Sequence, residues 1–188
     1  MDSDGISWRQ KLIDYNNNPG SNPLGLLPAW ELYLNSSYEL LHDHFGVKQL
    51  YILSAGWGLI PADFLTPMYD ITFSYVKAKD KYKRRRKKDD YDDLRMLPKG
   101  SEEPVVFLGG KDYEDLFCRL TAGVKGQRTV FYNSGIPPAA PDCTLKRFVT
   151  NTRTNWHYEC AKMLVDPLLP PSPSRLSSSS NKPVRDLT

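Results

Sequence analysis

Hydrophobic positions along the chain fall into two rhythms, and the change from one to the other lays out the elements. Residues 6–16 (ISWRQKLIDYN) place Trp8, Leu12 and Ile13 at helical intervals, which predicts a short amphipathic helix with those three on one side. The stretch NNNPGSNPLG then breaks the pattern with the Asn, Gly and Pro of a loop. A longer helix is expected at about 28–45, opened by Pro28, with Leu32, Tyr33, Leu40 and Leu41 on its buried face and Gly46 as its stop. From there the apolar positions become continuous. QLYILSAG, PVVFLGG and QRTVFYNSG are compact runs of the kind found in strands buried on both faces. ITFSYV reads as a short strand or an extended arm. DYEDLFCRLTAGV predicts a helix, and residues 152–165 (TRTNWHYECAKMLV) predict a last one capped by Thr152 or Thr154.

Strands alternating with helices predict an α/β fold, a three-layer sandwich with a mainly parallel central sheet. Residues 1–166 are expected to form a single domain. From Pro167 onward Pro and Ser dominate, with four serines in a row, so residues 167–188 are expected to be a flexible tail.

Composition narrows the function classes. No run approaches the ~18 apolar residues of a membrane helix and the N-terminus lacks a signal peptide's apolar stretch, so a cytoplasmic protein without a membrane partner is expected. Cys118, Cys143 and Cys160 show no CxxC spacing and read as free thiols. His42, His44 and His157 match no ligand spacing, so no metal is expected, and no cofactor motif is present. Neither a P-loop, a GxSxG elbow nor a nicotinamide fingerprint argues for NTPase, hydrolase or dehydrogenase chemistry.

Charge changes the picture more. The net charge is +3, yet residues 77–88 (KAKDKYKRRRKK) hold nine Lys or Arg against one Asp, a local +8 in an otherwise acidic chain. Lys83, Arg84, Arg85, Arg86, Lys87 and Lys88, with Arg153 nearer the C-terminus, are the candidate phosphate contacts. Tyr75, Tyr82 and Tyr91 are interspersed where they can stack on unpaired bases. The bland alternative is a solvated helical face or a disordered insertion, and the cluster is expected to add little to stability.

Ligands of parallel α/β sheets gather outside the carboxyl ends of strands. Three such ends carry small residues: Ser54-Ala55-Gly56, Gly109-Gly110-Lys111 and Asn133-Ser134-Gly135. The first leads into a glycine-rich exit and a loop with two prolines, Pro61 and Pro67, in GWGLIPADFLTPMYD, where Asp63 and Asp70 are interleaved with Trp57, Phe64 and Tyr69. Aromatic groups beside an acid suit a base-binding pocket, because rings stack on bases while a carboxylate orients water or stabilises positive charge. Ser54, Gly56, Trp57, Tyr69 and Lys111 are the candidate substrate contacts, and Asp70, Asp63 and Asn133 the candidate catalytic groups. Each Asp also has a structural reading as a turn residue, as does Asn133.

PAWELYLNSSYELL, LYILSAGWGLIPADFLTPMYD and VVFLGGKDY together resemble the YaaA-like group of small bacterial proteins, over about residues 28–113. Met68 separates Pro67 from Tyr69, where the group usually has Pro-Tyr-Asp directly or a similarly spaced variant. The resemblance implies a DNA-related role, since YaaA is a DNA-binding stress protein and related domains accompany tRNA transglycosylase-type enzymes. A looser similarity of layout connects the chain with uracil-DNA-glycosylase-like domains. In that layout Asp63 or Asp70 is the water-activating acid, Asn133 the base reader, and 150–157 a DNA-inserting segment. The expectation is therefore a DNA glycosylase-like enzyme that hydrolyses the N-glycosidic bond of a modified base in DNA, in phage defence or repair. The alternatives are a non-catalytic DNA-binding stress protein and a nucleoside or tRNA base-exchange enzyme. No obligate protein partner is expected.

Overall fold

A computed structural model describes residues 5–87, 89, 91–152 and 154–166. The expected tail at 167–188 lies outside the described residues, as do Lys88 and Arg153.

The first helix, α1 (Trp8–Asn17), begins where the Ser7 side chain accepts a hydrogen bond from the Gln10 backbone N–H. Leu12 is its buried anchor. Trp8, expected on the same side, is 72% exposed and stands outside the core. The long helix expected at 28–45 is divided. A two-residue strand β1 (Leu27–Pro28) runs into a 3-10 helix (Ala29–Leu32), and α2 (Ser36–Phe45) starts afresh. The reason for the break is local, because the Asn35 side chain accepts from the Ser37 N–H and caps a new helix. Gly46 ends α2 with φ +73, as its sequence position predicts.

The first buried run is β2 (Tyr51–Ser54). The chain then forms a second strand rather than the expected loop: β3 (Gly58–Pro61) pairs antiparallel with β2, Tyr51 opposite Pro61 and Ser54 opposite Gly58. Gly58 makes this possible, with φ +98 and the backbone of Leu94 so close that an added Cβ would lie 2.5 Å from its carbonyl oxygen. β4 (Leu65–Thr66) pairs with β1, and β5 (Leu94–Arg95) joins β3 in parallel. ITFSYV forms no strand; Thr72 makes an isolated bridge to Arg84 beyond a 3-10 helix at Ala78–Lys83.

The second half forms the parallel sheet that the alternation predicts. β6 (Val105–Phe107), β7 (Arg128–Tyr132) and β8 (Cys143–Arg147) are parallel neighbours in that order, with α3 (Glu114–Leu120) between β6 and β7 in sequence. α4 (Trp156–Val165) closes the described chain. Neither Thr152 nor Thr154 caps it, since Asn155 occupies the cap in a left-handed conformation. Thr150 and Thr152 instead direct their hydroxyls to the Glu159 carboxylate one turn in.

The fold is mixed α/β with an open parallel sheet, but among the described residues its strands are shared by three short sheets rather than one central one. Alternation along the strands shows how these pieces share a core. Ile52 and Ile60, directly opposed, pack with Leu12, Ala29 and Phe64. On the other face Leu59 packs with Leu116 and Leu120 of α3, while Leu53 reaches Phe107 and Val130 of the parallel sheet and Phe117 of α3. β7 is buried on both sides, Val130 toward α3 and Phe131 toward Trp156 and Cys160 of α4. Among the described residues no helix is long and apolar enough to cross a membrane.

Candidate functional site

At the end of β2 the chain must turn into β3 within three residues, and Ser54 organises the turn. Its side chain is fully buried, and its hydroxyl accepts from the backbone N–H groups of Gly56 at 3.1 Å and Trp57 at 3.0 Å. The same oxygen shares a 2.6 Å hydrogen bond with the Tyr69 hydroxyl, which meets the Tyr33 hydroxyl at 3.0 Å. Strand, 3-10 segment and the Pro67–Asp70 loop are thereby tied at one point. A Cβ at Gly56 would lie 3.1 Å from the Tyr69 ring, so a larger residue there makes that ring give by a few tenths of an ångström.

An aromatic wall surrounds this hydroxyl chain. Tyr33 stacks on Tyr38 at 4.5 Å, Tyr38 meets Tyr158 of α4 edge-on, and Trp57 meets Tyr69 edge-on. Tyr113, just beyond the β6 exit, packs edge-on against Phe73. Burial, followed by the neighbouring Tyr69 phenol, pushes the Tyr33 phenol far above its ordinary value. Burial and then Tyr158 do the same for Tyr38. Burial also raises Tyr113, against an opposing hydrogen bond from Thr72. These phenols stay protonated at any physiological pH, so they serve as donors and as rings rather than as bases.

Arg9 joins the site from α1, a placement that no local pattern foretells. One guanidinium nitrogen donates to the Gly56 carbonyl at 2.7 Å, and the group lies 5.5 Å from the Trp57 ring centre. The other buried N–H donors of this pair, Arg9 Nε and Trp57 Nε1, find no acceptor among the described residues. Contact across 47 residues leaves no periodic trace in a sequence.

The two candidate acids part company. Asp70 is next to Tyr69 in the chain, is exposed, and lies 2.7 Å from Lys83 Nζ. That hydrogen bond is the main reason the Lys83 ammonium is held above its ordinary pKa. Asp63 is also exposed, but it comes after the end of β3, which runs back beside Tyr51 at the start of β2. The hairpin therefore carries Asp63 to the far end of the strand from Ser54, about 10 Å along β2 at the usual rise per residue. The structure does not bring Asp63 to the exit where its place in the sequence suggests it.

The basic segment is not a uniform cluster. Arg85, expected among the phosphate contacts, is 1% exposed and faces inward. Its guanidinium makes two hydrogen bonds to Asp93, at 2.6 and 2.7 Å, donates to the Ala55 carbonyl at 2.9 Å, and lies 4.0 Å from the Tyr91 ring centre. A side chain enclosed and paired this way has no face left for a phosphate. It also anchors the segment to the β2 exit, so Arg85 is no part of a solvated face, and its guanidinium lies over the ring of Tyr91, which the sequence offers as a base-stacking group. Burial would raise the Asp93 carboxyl, but Arg85 and Arg119 outweigh it and hold the pKa below its ordinary value. Lys83, Arg86 and Lys87 pair with Asp70, Asp89 and Asp115. Arg84 is exposed.

The remaining exits are built differently. Lys111 is exposed at the start of a 3-10 helix (Lys111–Tyr113). The Asn133 amide donates to the Thr152 carbonyl at 3.3 Å, so it holds the backbone that leads to α4. Among the described residues no group of three or more His, Cys, Asp or Glu side chains is arranged to hold a metal ion. The three thiols are free.

Compared with protein-family models, curated proteins and solved structures, the chain matches none.

Proposed function

We propose that the chain acts on DNA as a glycosylase-like enzyme that hydrolyses the N-glycosidic bond of a modified base, with Asp70 as its working carboxylate. The observation that carries this reading is the position of Asp70. It is covalently next to Tyr69, which is fixed by the Ser54 hydroxyl, and it is in salt-bridge contact with Lys83 of the cationic segment. An exposed acid thus stands at the boundary between an aromatic wall and a polycation.

That boundary suits the chemistry. Breaking the bond builds oxocarbenium-like charge on the sugar, which a nearby carboxylate stabilises while directing water to the anomeric carbon. Trp57 and Tyr69 offer rings against which an extruded base packs. Lys83 holds Asp70 in the free protein; a phosphate arriving at Lys83 competes for the ammonium and releases the carboxylate beside the sugar. Binding and activation are then one event.

A second reading, DNA binding without catalysis, draws on the Ser54 hydroxyl itself, which is wholly buried and already used by three partners within the protein. Incubation with a panel of natural and phage-type modified DNAs, with alkali cleavage at abasic sites afterwards, separates the two. Strand breaks at one class of modified base support the enzyme. Binding to the panel with no abasic site on any member leaves the binding protein.

A further inference from the structure

The cations of the basic segment divide into two sets. Lys83, Arg85, Arg86 and Lys87 each have a carboxylate partner within the protein. Lys77, Lys79, Lys81 and Arg84 are exposed and have none among the described residues. Among the described residues the unneutralised charge therefore sits mainly in the first part of the run, at Lys77, Lys79 and Lys81, with Arg84 as its one member from the 83–87 block.

Aromatic exposure divides in the same way. Tyr91 is covered by the Arg85 and Arg9 guanidinium groups, whereas Tyr75 and Tyr82 are 82% and 78% exposed. Tyr82 lies in the second part of the 3-10 segment Ala78–Lys83, just past a kink at Asp80, between the exposed Lys81 and the half-buried Lys83. Lys83 Nζ lies 5.7 Å from the Tyr82 ring centre. Two large rings held in water amid free cations are neither core nor counter-ion. A ring flanked by cations meets a nucleotide twice, through its base and through its phosphate.

We infer that residues 75–84 form a single-stranded DNA platform, on which Tyr75 and Tyr82 stack on unpaired bases while Lys77, Lys79, Lys81 and Arg84 track the phosphates. Stacking selects the single strand because a duplex keeps its base faces against each other and offers these rings only edges and backbone. The inference rests on the DNA-acting reading above and gives it a substrate form: the target base arrives unpaired, and Asp70 lies next to the platform through Lys83.

The test uses the full chain and a fluorescein-labelled oligo(dT) of about 20 nucleotides, a length that spans the platform, against a duplex of equal length. Anisotropy titration should show tighter binding of the single strand. Tyr75→Ala with Tyr82→Ala should weaken single-strand binding about tenfold or more with little change for the duplex. Replacing Lys77, Lys79, Lys81 and Arg84 with Ser should lower the log–log salt slope on the single strand by roughly 3 units. Arg86→Ala with Lys87→Ala, which touches only paired cations, should move affinity by less than about threefold. All substituted side chains are exposed, and unchanged circular dichroism checks that each variant folds. Equal affinity for both forms, with no effect of the tyrosines, would overturn the platform and leave a DNA-acting protein. Binding to neither form would sink both readings.

Discussion

The exits of β2 and β7 look alike in sequence, each an apolar run ending in a small polar residue and a glycine, yet the chain treats them differently. At the first, three hydroxyl or backbone groups converge on Ser54, Arg9 arrives from α1, and Arg85 grips the next carbonyl. At the second, Ser134 donates to the Ile136 carbonyl two residues on, and Ser134 through Pro137 lie exposed. Small residues after a strand permit a close approach. Whether anything approaches is decided by elements distant in sequence: Arg9 and Arg85 reach the β2 exit, whereas at the β7 exit the Asn133 amide meets the Thr152 carbonyl.

The glycines test this difference most sharply. Gly58→Ala would force a Cβ into the Leu94 backbone at a φ of +98, whereas at Gly135 an added Cβ meets nothing within 4 Å. Urea unfolding should show Gly58→Ala destabilised by roughly 3 kcal/mol or more, with Gly135→Ala within about 0.5 kcal/mol of the parent. Equal effects would mean that the two exits are equally open.

A similar cost is expected where the basic segment is anchored. Arg85→Ala leaves the Asp93 carboxylate, itself 2% exposed, with Arg119 alone, and breaking a buried pair of this kind costs about 3–5 kcal/mol. Arg84→Ala, on an exposed neighbour, should leave the melting temperature nearly unchanged. Because the Asp93 pKa is lowered in the fold, its contribution is whole above the ordinary carboxyl value of 3.8 and is lost as pH falls through the lower folded value. The gap between parent and Arg85→Ala should therefore narrow in melts taken below pH 3.8. A gap independent of pH would place the anchor elsewhere.

A smaller contrast separates the polar side chains. Tyr69→Phe removes the partner of the buried Ser54 and of Tyr33 together and should cost about 1–3 kcal/mol. Asn133→Ala loses one 3.3 Å hydrogen bond at a half-buried site, worth about 1 kcal/mol or less. Reversal of that order would shift the organising role to β7.

Much of the frame is legible in the sequence because it is local. Leu12, Ile52, Phe107 and Val130 lie in runs whose apolar pattern alone predicts burial, and the parallel order of β6 and β7 comes from the helix between them. β3 is not legible, since GLIP after SAGW reads as a glycine-rich loop, and besides its hairpin with β2 it takes a second partner at Leu94, 36 residues beyond Gly58. β8 escapes for a similar reason, because CTLKR has little apolar character and is a strand by virtue of pairing with β7. Within the site, Ser54, Gly56, Trp57, Tyr69 and Asp70 are close in sequence and read together. Asp63 reads with them by the same proximity, and the hairpin takes it away. Arg85 looks like its neighbours because a basic run gives no indication of which member turns inward.

Chemistry at the β2 exit, with Asp70 as the acid, is the central claim, and base release compares the two exits directly. On a modified DNA that the parent protein cleaves, Asp70→Asn should lower the single-turnover rate about 10²–10⁴-fold while leaving DNA affinity nearly intact, because the carboxylate acts on charge that develops only in the transition state. Asn133→Ala should release the same base at a rate within about threefold of the parent. An Asp70→Asn variant that stays fully active, or an Asn133→Ala variant that loses activity with its fold intact, would contradict the assignment.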